Sequence, residues 1–240
     1  MIKTALQYIL GMAEPKPLEL EGRPYTTAKV FPVETPLPEL MIVHTLTGIR
    51  DYLVENPDGL DLDHVLVHVF SPSVVRVKST LIPPFVDRGV YLDATYDQPI
   101  FKFGQYMDIE TFIVELQAKF VQDEMTATIL QLAGNLTDEQ IQTYADDGIT
   151  QAVNTKNGIG RAEMRAVPNP VMLSPYRTFN EIAQPVGRFV LRMKSGTGTS
   201  NGRPAVALFE ADGGAWQQDA ILFIRTWLQE CLPTEVVVIA

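Results

Sequence analysis

KSGTGTSNGRP, Lys194 to Pro204, decides how the second half of this chain is read. Its glycines and hydroxyl residues resemble a phosphate cradle. A P-loop, however, needs Gly, four residues, Gly, Lys and then Ser or Thr, on a strand-to-helix turn. Here Gly196, Gly198 and Gly202 are followed by no lysine. A dinucleotide fingerprint needs G-x-G-x-x-G opening a helix. Here the third glycine falls one place late, and the next segment, AVALFE, reads as a strand. The flanks RFVLRMK and AVALFE therefore predict an antiparallel hairpin, with Asn201-Gly202 supplying positive φ at the bend. Lys194 and Arg203 would lie at its base, where a partner could meet them.

Working outward, the C-terminal half reads as mostly β: ITQAVNT from about Ile149, AEMRAV, PVMLS, RFVLRMK and AVALFE. A long helix from near Gly213 to Cys231 follows, with Asp212 placed as its N-cap. Trp216, Ala220, Phe223, Ile224, Trp227 and Leu228 make its apolar face. EVVVIA then reads as a last, central strand because it is continuously apolar.

Towards the N-terminus, RGVYLDATYD, VVRVKSTL and HVLVHVF read as strands. Thr45 caps a helix, LTGIRDYLVEN, with Leu46, Ile49 and Leu53 inward, and Asp108 caps another, DIETFIVELQAKFV. MTATILQLAGN is a helix ended by Gly134-Asn135. MIVHT reads as a buried strand, PYTTAKVFPV as an edge strand, and AEPKPLELEGRP as a connector. MIKTALQYIL predicts a short amphipathic helix rather than an export signal. Strands and helices are partly segregated, so the class is α+β. The expectation is a mixed, mostly antiparallel sheet or sheets with about five helices. The long C-terminal helix should pack on the sheet. Residues 1–240 form one domain, or two lobes dividing near residue 136.

The 240 residues suit a single sizeable core, and 46% hydrophobic content suits a folded globule. No apolar run approaches the length of a membrane span, so a soluble, membrane-free protein is expected. Cys231 is the single cysteine, which excludes an internal disulfide and a multi-thiolate metal site. The net charge of −10 argues against a general nucleic-acid binder. Its distribution says more. Residues 108–147 hold Asp108, Glu110, Glu115, Asp123, Glu124, Asp138, Glu139, Asp146 and Asp147 against Lys119 alone. Residues 156–203 hold Lys156, Arg161, Arg165, Arg177, Arg188, Arg192, Lys194 and Arg203 against Glu163 and Glu181. Both sets read as solvated faces, as the two ends of a charge-polar subunit, or as an acidic zone that meets a basic partner or imitates DNA.

Chemical motifs are sparse. His64 and His68 would share a zinc face on a helix. On a strand they lie about 13 Å apart, at about 3.3 Å per residue, too far for one site. Asp146-Asp147-Gly148 reads as a turn rather than a cation site. No Ser-His-acid set is visible. The expectation is thus no catalytic residue, no cofactor and no metal, in a protein that is not an enzyme. The candidate partner-binding residues are Lys194, Arg203, Arg188, Arg192, Asp146 and Asp147.

Several whole segments carry a family resemblance: VHTLTGIRDYLVEN, HVLVHVFSPSVVRV, DDGITQAVNTKNGI, VPNPVMLSPYRTFNEIAQPVGRFVLRM and ALFEADGGAWQQDAI. Together they resemble a family of uncharacterised bacteriophage and prophage proteins that includes YfdQ-like members. The resemblance implies phage or prophage origin and action in the cytoplasm of a bacterial host. It carries no catalytic residues to transfer. The function expected is association, as a homo-oligomer or with a protein partner. The alternative is a nucleic-acid accessory factor in phage replication or recombination, using the basic region 156–203 with Tyr176 and Phe179 stacking on bases.

Overall fold

The computed structural model describes residues 2–6, 17–20, 23–26, 39–81, 88–134, 152–156, 162–166, 169–194 and 204–240. It divides into two compact units, Met1–Pro38 and Glu39–Ala240.

In the first unit, residues 2–6 are helical (α1), with Ile2 and Leu6 exposed. Strands β1 (Pro17–Leu20) and β2 (Arg23–Thr26) pair antiparallel. The sequence reading placed a connector over β1. Leu18 and Leu20 alternate with charged residues there, which was pattern enough for a strand despite the flanking prolines.

The second unit is α+β, with two main sheets, each covered by helices on one face. The five-stranded sheet runs β13-β4-β5-β6-β3. Its strands are β3 (Met41–Val43), β4 (Val65–Ser71), β5 (Val74–Ser79), β6 (Val90–Thr95) and β13 (Val237–Ile239). The two inner pairings are antiparallel, whereas β13 on β4 and β3 on β6 are parallel. Val67, Val69, Val75, Val77, Leu92 and Ala94 point to one face, the alternation expected of a half-buried sheet. Helices α2 (Leu46–Glu55) and α5 (Ala215–Cys231) cover that face through Leu46, Ile49, Leu53, Ile224 and Leu228. Thr45 caps α2 by accepting a hydrogen bond from the Gly48 N–H. A Cβ on Gly48 would fall 3.0 Å from Val43, so glycine lets α2 lie close on β3.

The other sheet is antiparallel throughout, in the order β10-β11-β12-β7. It comprises β7 (Met107–Asp108), β10 (Val171–Leu173), β11 (Gly187–Lys194) and β12 (Ala205–Glu210). Helices α3 (Ile109–Lys119) and α4 (Glu124–Gly134) cover one face. Phe112, Leu116, Ile129, Leu132 and Ala133 meet Phe189, Leu191, Met193, Val206 and Leu208 in a second core. Asp108 caps α3, accepting from the Thr111 N–H and hydroxyl, and the hydroxyl bond above all holds its carboxyl below the usual range. Strands β8 (Ala152–Lys156) and β9 (Ala162–Ala166) form a separate hairpin. The expected lobe division near residue 136 lies outside the described residues.

Both three-residue strands expected to be buried are edges. Met41 and Ile42 on β3 are exposed. In β13, Val238 faces the core while Val237 and Ile239 turn outward. Continuous apolarity does not distinguish a central strand from a short edge. On α5, Phe223 is exposed, because the helix contacts the sheet along the narrower line of Ala220, Ile224 and Leu228. Nor does Asp212 cap α5. Gly214, at φ 83°, occupies the N-cap, and Asp212 accepts from the Gly214 N–H in the turn before it.

Candidate interaction surface

The hairpin predicted around Lys194–Pro204 is present: β11 and β12 pair from Phe189–Glu210 to Lys194–Ala205. Residues 195–203 between them, including Arg203, lie outside the described residues, as do Asp146 and Asp147. The remaining three candidates converge. Along β11, Phe189, Leu191 and Met193 fill the core, so Arg188, Val190, Arg192 and Lys194 emerge on the opposite face. Period-two alternation thus turns three cations into one row. Arg188 donates through Nε and Nη2 to the Ala211 carbonyl, at 2.8 and 2.6 Å, which fixes its guanidinium across the end of β12. Lys194 Nζ lies 4.0 Å from the centroid of the Tyr106 ring. Tyr106 in turn meets Phe209 edge-on at 6.1 Å.

The pattern of basic residues alone missed the apolar half of this surface. Met172 pairs with Arg188 across β10, and Phe209 pairs with Val190 across β12. The same alternation that buries Leu173 and Leu208 sends Met172 and Phe209 outward. Tyr106 lies between strands, where no periodicity marks it. Arg188, Lys194, Met172 and Tyr106 are exposed. A surface of arginine, methionine and aromatic rings has the composition enriched at protein interfaces.

Arg177 belongs to the same basic run but is only 5% exposed. Its guanidinium lies between Phe103, Phe189 and Trp216, at 5.2, 5.0 and 4.5 Å, and donates to Glu210 at 2.9 Å. Desolvation lowers its pKa, while Glu210 and then Asp212 oppose that shift. It is a structural cation, unavailable to a partner. Phe179 is likewise fully buried, packed 5.8 Å from Tyr96, so it cannot stack on a base.

Between the two layers runs an open groove of about 720 Å³, lined by Tyr96, Pro99, Val121, Tyr176, Asn180 and Ile182 among others. The segment forming its wall is pinned by Gln184. That side chain accepts from the Arg177 and Thr178 N–H groups and donates to the Thr178 and Phe179 carbonyls. Among the described residues, the lining holds no acid, histidine, lysine or cysteine. Burial raises the pKa of Tyr96, with Tyr176 adding to the effect, which moves its hydroxyl away from acting as a base near neutral pH. The titratable groups in the described lining are the tyrosines Tyr96 and Tyr176, and Ser174 adds a hydroxyl.

His64 and His68 do not share a helix. His64 ends a 3-10 turn (Leu62–His64) and contacts Thr80, whereas His68 lies within β4 near Lys78. Among the described residues, no three His, Cys, Asp or Glu side chains are grouped to hold a metal. No helix among them is long and apolar enough to cross a membrane. Comparison with known protein families, curated proteins and solved structures found no match to this chain.

Proposed function

We propose that this chain is a bacteriophage- or prophage-derived protein that acts in the bacterial cytoplasm by association rather than catalysis. Its association surface is the outward face of the four-stranded sheet. One observation carries the reading: Arg188, Arg192 and Lys194 stand in a row beside Met172, Tyr106 and Phe209 on that face. Three like charges with apolar side chains between them suit an anionic, partly apolar partner. Opposite charge supplies attraction and register, and the apolar groups supply burial. The resemblance to phage and prophage proteins supplies the setting.

A second reading places single-stranded nucleic acid on the same face, favoured by the Tyr106 ring between Lys194 and Phe209. The test compares the wild-type chain with R188Q/R192Q/K194Q. Self-association is read by light scattering and oligothymidylate binding by fluorescence anisotropy, both at low salt. Wild type should associate in at least one assay, the variant should lose that association, and added salt should weaken it, since exposed charges are screened beyond about 10 Å at 0.1 M. A wild-type chain inert in both assays, or a variant that behaves like wild type, overturns the assignment of this face.

A further inference from the structure

We infer that the groove lined by Tyr96 and Tyr176 binds an uncharged, proline-bearing peptide of a partner protein in extended form. The inference does not rest on the sheet face. The groove measures about 720 Å³, within the range of ligand sites. Backbone pairing positions two of its residues. The Val121 N–H donates to the Ser174 carbonyl and the Tyr176 N–H to the Lys119 carbonyl, both at 2.9 Å. Ser174 and Tyr176 are thus held without using their side chains. Tyr96 is held by its own N–H, which donates to the Ser73 carbonyl, and by its ring, which packs 5.8 Å from Phe179. Asn180 and Ile182 follow the turn that Gln184 fixes with four hydrogen bonds. The lining is therefore in place before a ligand arrives, which lowers the cost of binding.

The fold leaves the polar groups of this lining uncommitted. Ser174 is only 7% exposed, yet its hydroxyl lines the groove with no hydrogen-bond partner among the described residues. The Tyr176 hydroxyl has none either. Tyr96 donates to Asn180 Oδ1 at 3.5 Å, a length at which the bond is weak, and the amide N–H groups of Asn180 are unused within the described fold. The described lining thus offers hydroxyl and amide donors beside Pro99, Val121 and Ile182, and it carries no charged side chain. A nucleotide would bring phosphate with no cation to meet it. A sugar would bring hydroxyl donors with no carboxylate to accept them. A polyproline II chain brings carbonyl acceptors without N–H donors, because proline has none. Its backbone makes no internal hydrogen bonds, and its rings pack in aromatic-lined grooves at little cost in ordering.

The probe is an end-capped decaproline titrated into the full chain by isothermal calorimetry, with cellotetraose and uridine as the competing ligand classes. Wild type should bind decaproline and neither of the others. Tyr176→Phe, Asn180→Ala and Ser174→Ala each remove one donor and should each weaken binding about three- to tenfold, the loss of one neutral hydrogen bond. Tyr176→Ala also removes the ring and should weaken it about tenfold or more. Thermal melts by circular dichroism establish folding. Should Tyr176→Ala fail to fold, Tyr176→Phe and Asn180→Ala decide, since one keeps the ring and the other changes an exposed side chain. R188Q/R192Q/K194Q should bind decaproline like wild type, so failure of the sheet face and failure of the groove are read separately. No binding up to about 1 mM decaproline overturns the inference. So does binding that these groove variants leave unchanged, which places the peptide elsewhere. Binding of cellotetraose or uridine in place of decaproline assigns the groove to another neutral ligand and overturns the peptide.

Discussion

The outward faces of the two sheets start from similar strands and end differently. VVRVKS in β5 and RFVLRMK in β11 both alternate basic with apolar residues. In the five-stranded sheet, register sets Ile239, His68, Arg76, Asp93 and Ile42 in one row across the strands. Arg76 Nε lies 3.3 Å from Asp93, and its guanidinium covers Phe70 at 4.8 Å. In the four-stranded sheet, Arg192 faces Ala207 and Lys194 faces Ala205. The neighbour, not the strand, decides whether a cation meets a carboxylate across the ladder. YLDAT brings a carboxylate to the register position where AVALFE brings a methyl group.

Arg177 sharpens that contrast most, because it belongs to the same basic run yet has the opposite fate. Arg177→Ala would open a void among Phe103, Phe189 and Trp216. The expected loss is about 3 kcal/mol, in the range for large-to-small core changes. Arg177→Met should recover much of it, since Arg177 Nε and Nη2 have no partner and an apolar chain of similar volume avoids their desolvation. Urea unfolding measures both. The R188Q/R192Q/K194Q variant should unfold close to wild type. If the Arg177 variants altered self-association with stability intact, or the sheet-face triple unfolded several kcal/mol early, the division between the buried cation and the outward row would be wrong.

Much of the local structure was legible in the sequence because it is set locally. Thr45 and Asp108 act as caps from their own side chains. The β11–β12 hairpin follows from two alternating runs and a glycine-bearing bend. The row of Arg188, Arg192 and Lys194 follows from the same alternation. What escaped depends on distant partners. Nothing near Arg177 announces that Phe103 and Trp216, from other parts of the chain, will enclose it. MIV and VVI carry the apolarity of central strands, but among the described strands each finds a neighbour on one side alone. Tyr106 joins the interaction surface through a turn rather than a repeat. The part played by Arg203, Asp146 and Asp147 falls outside the described residues.

The Arg76–Asp93 pair offers a smaller, direct test of the comparison. A double-mutant cycle with Arg76→Met and Asp93→Leu should give a coupling of about 1 kcal/mol, since the side chains are only 36% and 15% exposed. Self-association should not change in any of the variants. A coupling near zero would mean that this face holds its charge as loosely as the four-stranded face does, and register would no longer explain the difference.

His68 gives the smallest effect and a pH signature. Its pKa is lowered, first by burial and then by the cations Lys78 and Arg76 on the neighbouring strand, while Ile239 faces it from β13. A histidine whose folded pKa lies below its unfolded value binds protons more readily when unfolded. Its contribution to stability is therefore complete above the unfolded value, about 6.5, and declines as pH falls through that value towards the lowered folded pKa. The urea midpoint of wild type should fall between pH 8 and pH 5.5, and His68→Gln should flatten that slope without altering the midpoint much at pH 8. An unchanged slope in His68→Gln would show that neither burial nor the charges of Lys78 and Arg76 depress its protonation. The five-stranded face would then be less self-contained than its register implies.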